Sequence, residues 1–239
     1  MKLTKLFRPT NVTKLTTATL FISLTLITSG CIIHVGGHGS NDRDKDEYSS
    51  AFNGVDISEN KQVGDISSVN GNITLRNNAS ARDVNAVNGN IKIGDNVQVN
   101  ELSTINGDIQ GKTFLTVKRD VSTVNGNISF AGNSQVAQDV TTLNGDIKLV
   151  KTFIGDSVKT KNGSITLTQG SVVEGDIVFE SLDNNNWWED KNDEHNPPIL
   201  RIDKSSDVKG KIILHQVVVL EIENPALLAK VERRYPSQE

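Results

Sequence analysis

From residue 65 onward, aliphatic residues alternate with Ser, Thr, Asn, Asp, Lys and Gln in short runs broken by Asn-Gly. Rows beginning at Asp65, Asp83, Glu101, Asp120, Asp139 and Ser157 align this pattern into columns. The second column reads Ile66, Val84, Leu102, Val121, Val140 and Val158, and the fifth reads Val69, Val87, Ile105, Val124, Leu143 and Lys161. After the dipeptide come Ile73, Ile91, Ile109, Ile128, Ile147 and Ile165, then, two residues on, Leu75, Ile93, Gly111, Phe130, Leu149 and Leu167. Period-two alternation of β-branched residues predicts strands and excludes helices here.

The dipeptide itself sets the period. Asn-Gly occurs at 53–54, 70–71, 88–89, 106–107, 125–126, 144–145 and 162–163, so successive spacings are 17, 18, 18, 19, 19 and 18. A fixed period of this size marks a repeat architecture. Two arrangements compete. In two-residue hairpins, the fifth column would face away from the second. If Asn-Gly is instead a corner where Gly permits positive φ, both columns point inward. The corner reading buries every aliphatic column and predicts an all-β fold, a single-stranded parallel β-solenoid with about 18–19 residues per turn. Its structural corners are Asn70-Gly71, Asn88-Gly89, Asn106-Gly107, Asn125-Gly126, Asn144-Gly145 and Asn162-Gly163. Stacked asparagines can then pass hydrogen bonds from rung to rung.

Around the dipeptide, sequences such as Ile105-Asn106-Gly107-Asp108-Ile109 and Leu143-Asn144-Gly145-Asp146-Ile147 resemble the bacterial β-helix family of adhesins with Val-Asn-Gly-Asp-Ile repeats. More distantly, the chain resembles the bactofilins, which polymerise through stacked β-helices. The resemblance spans about residues 49–180 and implies fold, with no shared catalytic residue to carry over.

A solenoid must cover its ends. Residues 48–64 form an imperfect entry rung with Phe52, Val55 and Ile57. At the far end, Asn224 as N-cap and Pro225 at the first helical position predict a short capping helix over 226–234, with Leu227, Leu228 and Val231 on one face. Residues 181–198 interrupt the repeat as an acidic loop carrying both tryptophans, Trp187 and Trp188, before the final rungs and the C-terminal cap over 199–239. That pair is the candidate ligand-binding site, for a sugar or an envelope protein; covering the side of the solenoid is the plainer role.

The N-terminus supplies an address. Basic residues end at Lys14, an apolar run spans Leu15 to Ile27, and Thr28-Ser29-Gly30 precede Cys31, the single cysteine. This is a signal-peptide layout, and the run is shorter than the roughly twenty apolar residues that span a bilayer. It resembles a bacterial lipoprotein signal over 1–30, with Thr28 where such signals carry Leu. The resemblance implies cleavage and acylation, palmitate included, at Cys31, and an anchor in the outer membrane where the cell has two, since Ile32 follows the cysteine. Residues 31–48, rich in Gly and charge, read as a flexible tether.

Charge and chemistry narrow the classes further. The formal net charge is −4, with 25 basic and 29 acidic residues. Removing Lys2, Lys5, Arg8 and Lys14 with the leader leaves 21 against 29, or −8, which disfavours nucleic acid as a partner. His34 and His38 stand four apart on a tether too pliable to hold a metal, and His195 and His215 have no nucleophile or acid at catalytic spacing. The acidic first column, from Asp65 to Asp139, calls for basic neighbours or a divalent cation. The expectation is a non-enzymatic, cofactor-free envelope lipoprotein that presents a surface for adhesion or assembly. A polysaccharide-active or carbohydrate-binding protein using Trp187 and Trp188 is the alternative, and self-association through the solenoid ends a third.

Overall fold

The computed structural model describes residues 47–181 and 197–235. Every strand pair is parallel, and the strands form three sheets of ten, nine and six. Nine rungs each contribute one strand to each of the first two sheets, Val231–Arg233 adds a tenth to the first, and the third sheet runs from Gln98–Val99 to Asp207–Val208. The fold is therefore a three-sided, single-stranded parallel β-solenoid. The six regular repeats are joined by further rungs at both ends, nine turns in all, or roughly 43 Å along the axis at the usual strand spacing.

One rung explains the rest. Val121–Asn125 lies in the first sheet, Ile128–Phe130 in the second and Ser134–Val136 in the third. Val121, Thr123, Ile128, Phe130, Ser134 and Val136 point inward, each no more than 1% exposed. Burying an aliphatic side chain of this size contributes about 1.5–3 kcal/mol, and the stack repeats the gain at each rung. The rungs also complement one another in volume. A Cβ on Gly111 would lie 2.8 Å from the Phe130 ring directly above it, so the missing side chain makes room for the large one.

The Asn-Gly corner works differently from the sequence expectation. Among its glycines only Gly145 has a positive φ, at 152°, so a left-handed turn is not what the corner asks of the others. Glycine is required there by close approach: a Cβ on Gly107, Gly126 or Gly163 would fall 1.9–2.1 Å from the carbonyl oxygen of the glycine one rung below. No side chain fits between backbones stacked that tightly. The left-handed corner lies between the second and third sheets, at Asn60, Asn78, Asn96, Phe114, Asn133, Lys151 and Gln169, with φ from 49° to 61°.

Polar ladders run beside the core. Asn88, Asn106, Asn125, Asn144 and Asn162 each donate Nδ2 to the Oδ1 of the asparagine below, from Asn70 upward, at 2.7–2.9 Å. One residue past the glycine, Asn72, Asn90, Asp108, Asn127 and Asp146 each accept the backbone N–H of the next rung at 2.7–2.8 Å. Inside, the Thr104, Thr123 and Thr142 hydroxyls donate to the carbonyls of Gly89, Gly107 and Gly126. These bonds satisfy corner groups that burial would otherwise leave costly.

The C-terminal helix is shorter and tighter than expected. Pro225–Lys230 is a 3-10 helix, with the Asn224 side chain accepting from Ala226 N–H at 3.2 Å. Leu227 is buried while Leu228 is half exposed. Val231 belongs to a strand, Val231–Arg233, which pairs with Ile212–Leu214 and ends the first sheet. Before it, the Lys230 ammonium donates to the carbonyl oxygens of Val208 and Lys209 at the last strand of the third sheet.

Candidate interaction surface

The outer side of the first sheet carries the features that distinguish this chain. Period-two alternation puts the second and fourth columns inward, so the fourth, Ser68, Ala86, Thr104, Thr123, Thr142 and Thr160, is buried. The fifth column faces outward: Val69 is 46% exposed, and Val87, Ile105, Val124 and Leu143 are half-buried on the surface. This corrects the inward placement expected from the aliphatic character of that column. A strand has no bend between its second and fifth positions, so residues three apart point to opposite faces.

The outward columns lie side by side across each strand. An acidic column at the strand start is followed by Ser67, Asn85, Ser103, Ser122 and Thr141, then by the aliphatic column, then by the asparagine ladder at the corner. Spacing is about 4.8 Å along the axis and about 6.7 Å between outward columns across it. The result is a flat, mainly uncharged face five rungs deep. Past Leu143 the aliphatic column gives way to Lys161, Glu180 and His215, whose N–H donates to the Phe179 carbonyl at 2.9 Å.

The acidic border is tied down by cations. Arg82 bonds Asp65 at 3.0 Å and Glu47 at 3.2 Å, Arg119 bridges Asp83 at 2.7 Å and Glu101 at 3.2 Å, and Lys159 pairs with Asp139. Partial burial pushes the Glu101 carboxyl above the ordinary range; Arg119 opposes this, while Asp83 and Asp120 add to it. The acids also accept backbone N–H groups from the next rung, as Asp120 does from Asp139 and Asp139 from Ser157. Among the described residues, no group of three or more His, Cys, Asp or Glu converges on a metal-sized position.

Two aromatics that sequence reasoning passed over stand on a different side. Phe114, at a left-handed φ of 58°, is 54% exposed, and Phe153, on the outer side of the third sheet, is 42% exposed. Their signal in the sequence was position: the other members of the Phe114 column are polar, and most of those in the Phe153 column are. The leader, Cys31, His34, His38, Trp187, Trp188 and His195 lie outside the described residues. The Trp-bearing segment departs after Ser181, which follows Phe179 in the first sheet, and the chain is back in the second sheet by Ile199. By the register of Thr160 with Phe179, Ser181 stands at the position that Asn162 holds one rung below.

No family model matches the chain, and no curated protein or solved structure matches it. The architecture is nonetheless that of β-helix proteins in general.

Proposed function

We propose that this protein is a lipid-tethered, non-catalytic component of the bacterial cell envelope whose solenoid presents the outer face of the first sheet to a partner protein, in adhesion or envelope assembly. The observation that carries the reading is the outward aliphatic column from Val69 to Leu143, flanked by hydroxyl and amide ladders. A contiguous apolar stripe with a polar surround is the usual composition of a protein-binding patch. Presented on a rigid rod, one weak contact per rung adds to a strong one, because the contacts are held in register. The acidic surroundings disfavour nucleic acid.

Acylation of Cys31 would hold the rod at a membrane, since two or more acyl chains at about 0.8 kcal/mol per buried methylene anchor stably.

The test fractionates cells expressing full-length protein. Wild-type chain is expected with membranes and Cys31→Ser in the soluble fraction. A Val87→Lys/Ile105→Lys/Val124→Lys variant should stay with membranes but lose cross-linking to its partner and adhesion. A Cys31→Ser chain that remains membrane-bound overturns the anchor, and a triple variant with undiminished cross-linking and adhesion overturns the surface. Glycan-array binding lost on Trp187→Ala/Trp188→Ala would favour a carbohydrate ligand instead.

A further inference from the structure

We infer that Asn53-Gly54 is a site of spontaneous deamidation in the folded protein, and that the solenoid protects its other Asn-Gly dipeptides from the same reaction. The chemistry is intramolecular. The Gly nitrogen loses its proton to water or hydroxide and attacks Asn Cγ, a C–N bond forms, the Cγ–Nδ2 bond breaks and ammonia leaves. Water then opens the succinimide at either carbonyl, giving aspartate or isoaspartate. No oxidant, reductant or enzyme is needed. All seven dipeptides have glycine after the asparagine, the residue that hinders attack least, so differences among them report structure.

Two restraints oppose the reaction in the stacked rungs. Gly71, Gly89, Gly107, Gly126 and Gly145 each donate N–H to the asparagine carbonyl of the next rung at 2.8–3.1 Å, which holds the proton that must leave. The side chains of Asn70, Asn88, Asn106, Asn125 and Asn144 are held in the amide ladder, which keeps each Cγ from turning onto the following nitrogen. Reaction there requires local opening of a rung, so its rate falls by the improbability of that opening.

Asn53-Gly54 has neither restraint. Asn53 is exposed, its backbone N–H bonds Ser50 Oγ at 3.0 Å, and its side chain makes no bond to Asn70. Among the described residues the Gly54 N–H has no hydrogen-bond partner. Asn162-Gly163, at the other end, is intermediate: Asn162 Nδ2 donates to Asn144 at 2.7 Å, but the Gly163 N–H is unpaired among the described residues. The expected order is Asn53, then Asn162, then the five interior sites.

The experiment incubates full-length protein in mildly alkaline buffer and follows all seven sites by peptide mapping, with isoaspartate assigned by fragmentation. In the folded protein Asn53 should convert about tenfold or more faster than any interior site, the ratio expected from even a modest opening free energy. In strong denaturant the seven rates should converge to within a few-fold. An Asn53→Gln variant should lose the fast site and leave the other six unchanged. Folded-state conversion at Asn106 or Asn125 as fast as at Asn53, or a rate order unaltered by denaturant, would overturn the proposal.

Discussion

The position that a Cβ would take on Gly126 lies 1.9 Å from the carbonyl oxygen of Gly107, one rung below. Alanine at Gly126 must push two stacked backbones apart, and the neighbouring asparagine and threonine ladders with them. Gly126→Ala is expected to destabilise by at least about 3 kcal/mol, the upper part of the range for overpacking. Gly132→Ala is the control, because its Cβ would meet nothing nearer than 3.9 Å. It should stay within about 0.5 kcal/mol of wild type or gain slightly. Chemical denaturation of both variants checks the contrast.

The amide ladder predicts a second pair. Asn106 donates to Asn88 at 2.9 Å and accepts from Asn125 at 2.8 Å. Removing both bonds in Asn106→Ala should cost about 1–2 kcal/mol, given the modest net worth of each solvent-accessible bond. Asn53→Ala, outside the ladder, should cost under about 0.5 kcal/mol. Melting curves of the two proteins measure the difference.

Val121 and Val124 stand three residues apart in one strand and face opposite ways. Val121→Ala leaves a void in a fully buried column and should cost about 2 kcal/mol. Val124→Lys should change stability by under about 0.5 kcal/mol, because the side chain already meets solvent. Finding the lysine variant as destabilised as the alanine one would mean that the fifth column is buried after all.

Asp203 makes acid sensitivity predictable. Burial alone would raise its pKa, but hydrogen bonds from Gln169 N–H at 2.6 Å and from Ser205 and Ser206 outweigh this and hold it below the ordinary 3.8. A carboxylate depressed in the fold contributes stability above its unfolded pKa, and that contribution is lost as pH falls through the folded value. Asp207, held low by Lys209, behaves alike. Glu101 has the opposite sign, its raised pKa favouring the fold less as pH rises past it. Melting temperature should therefore drop as pH falls below about 4, and Asp203→Asn should melt lower at neutral pH with a flatter acid limb.

Much of the fold was legible because its signal is repetitive. Ile73 to Ile165 recur at one place in every row, and the asparagines that align with them form the expected ladder. What the letters do not distinguish is the cause of a glycine. Gly126 looks the same whether it supplies a left-handed turn or makes room for the carbonyl of Gly107. The true left-handed corner was hidden because, although Asn60, Asn78, Asn96 and Asn133 favour it, Phe114, Lys151 and Gln169 share the column, held there by bonding between rungs and not by preference. The outward face was misread because Val69 and Val124 are aliphatic; Ser68 and Thr123, less apolar, take the inside because alternation leaves them no other side. The C-terminal helix was overextended because Val231 and Glu232 suit a helix as well as a strand, and pairing with Ile212 and Ile213 decides it.

The first inward residue of the second sheet lies seven positions after that of the first in each regular rung, as from Val121 to Ile128 and from Val158 to Ile165. Differences in rung length are absorbed at the two other bends, where Leu102 lies three positions after Val99 but Val121 lies four after Val117. The six regular rungs thus keep one bend fixed and let the other two adjust, yet the long insertion between Phe179 and Ile199 falls at the fixed one. Gene duplication could lengthen such a rod by whole storeys, single-residue changes being taken up at the adjustable bends, while a large addition enters where one sheet hands over to the next and leaves the spacing of the five rungs below it unchanged.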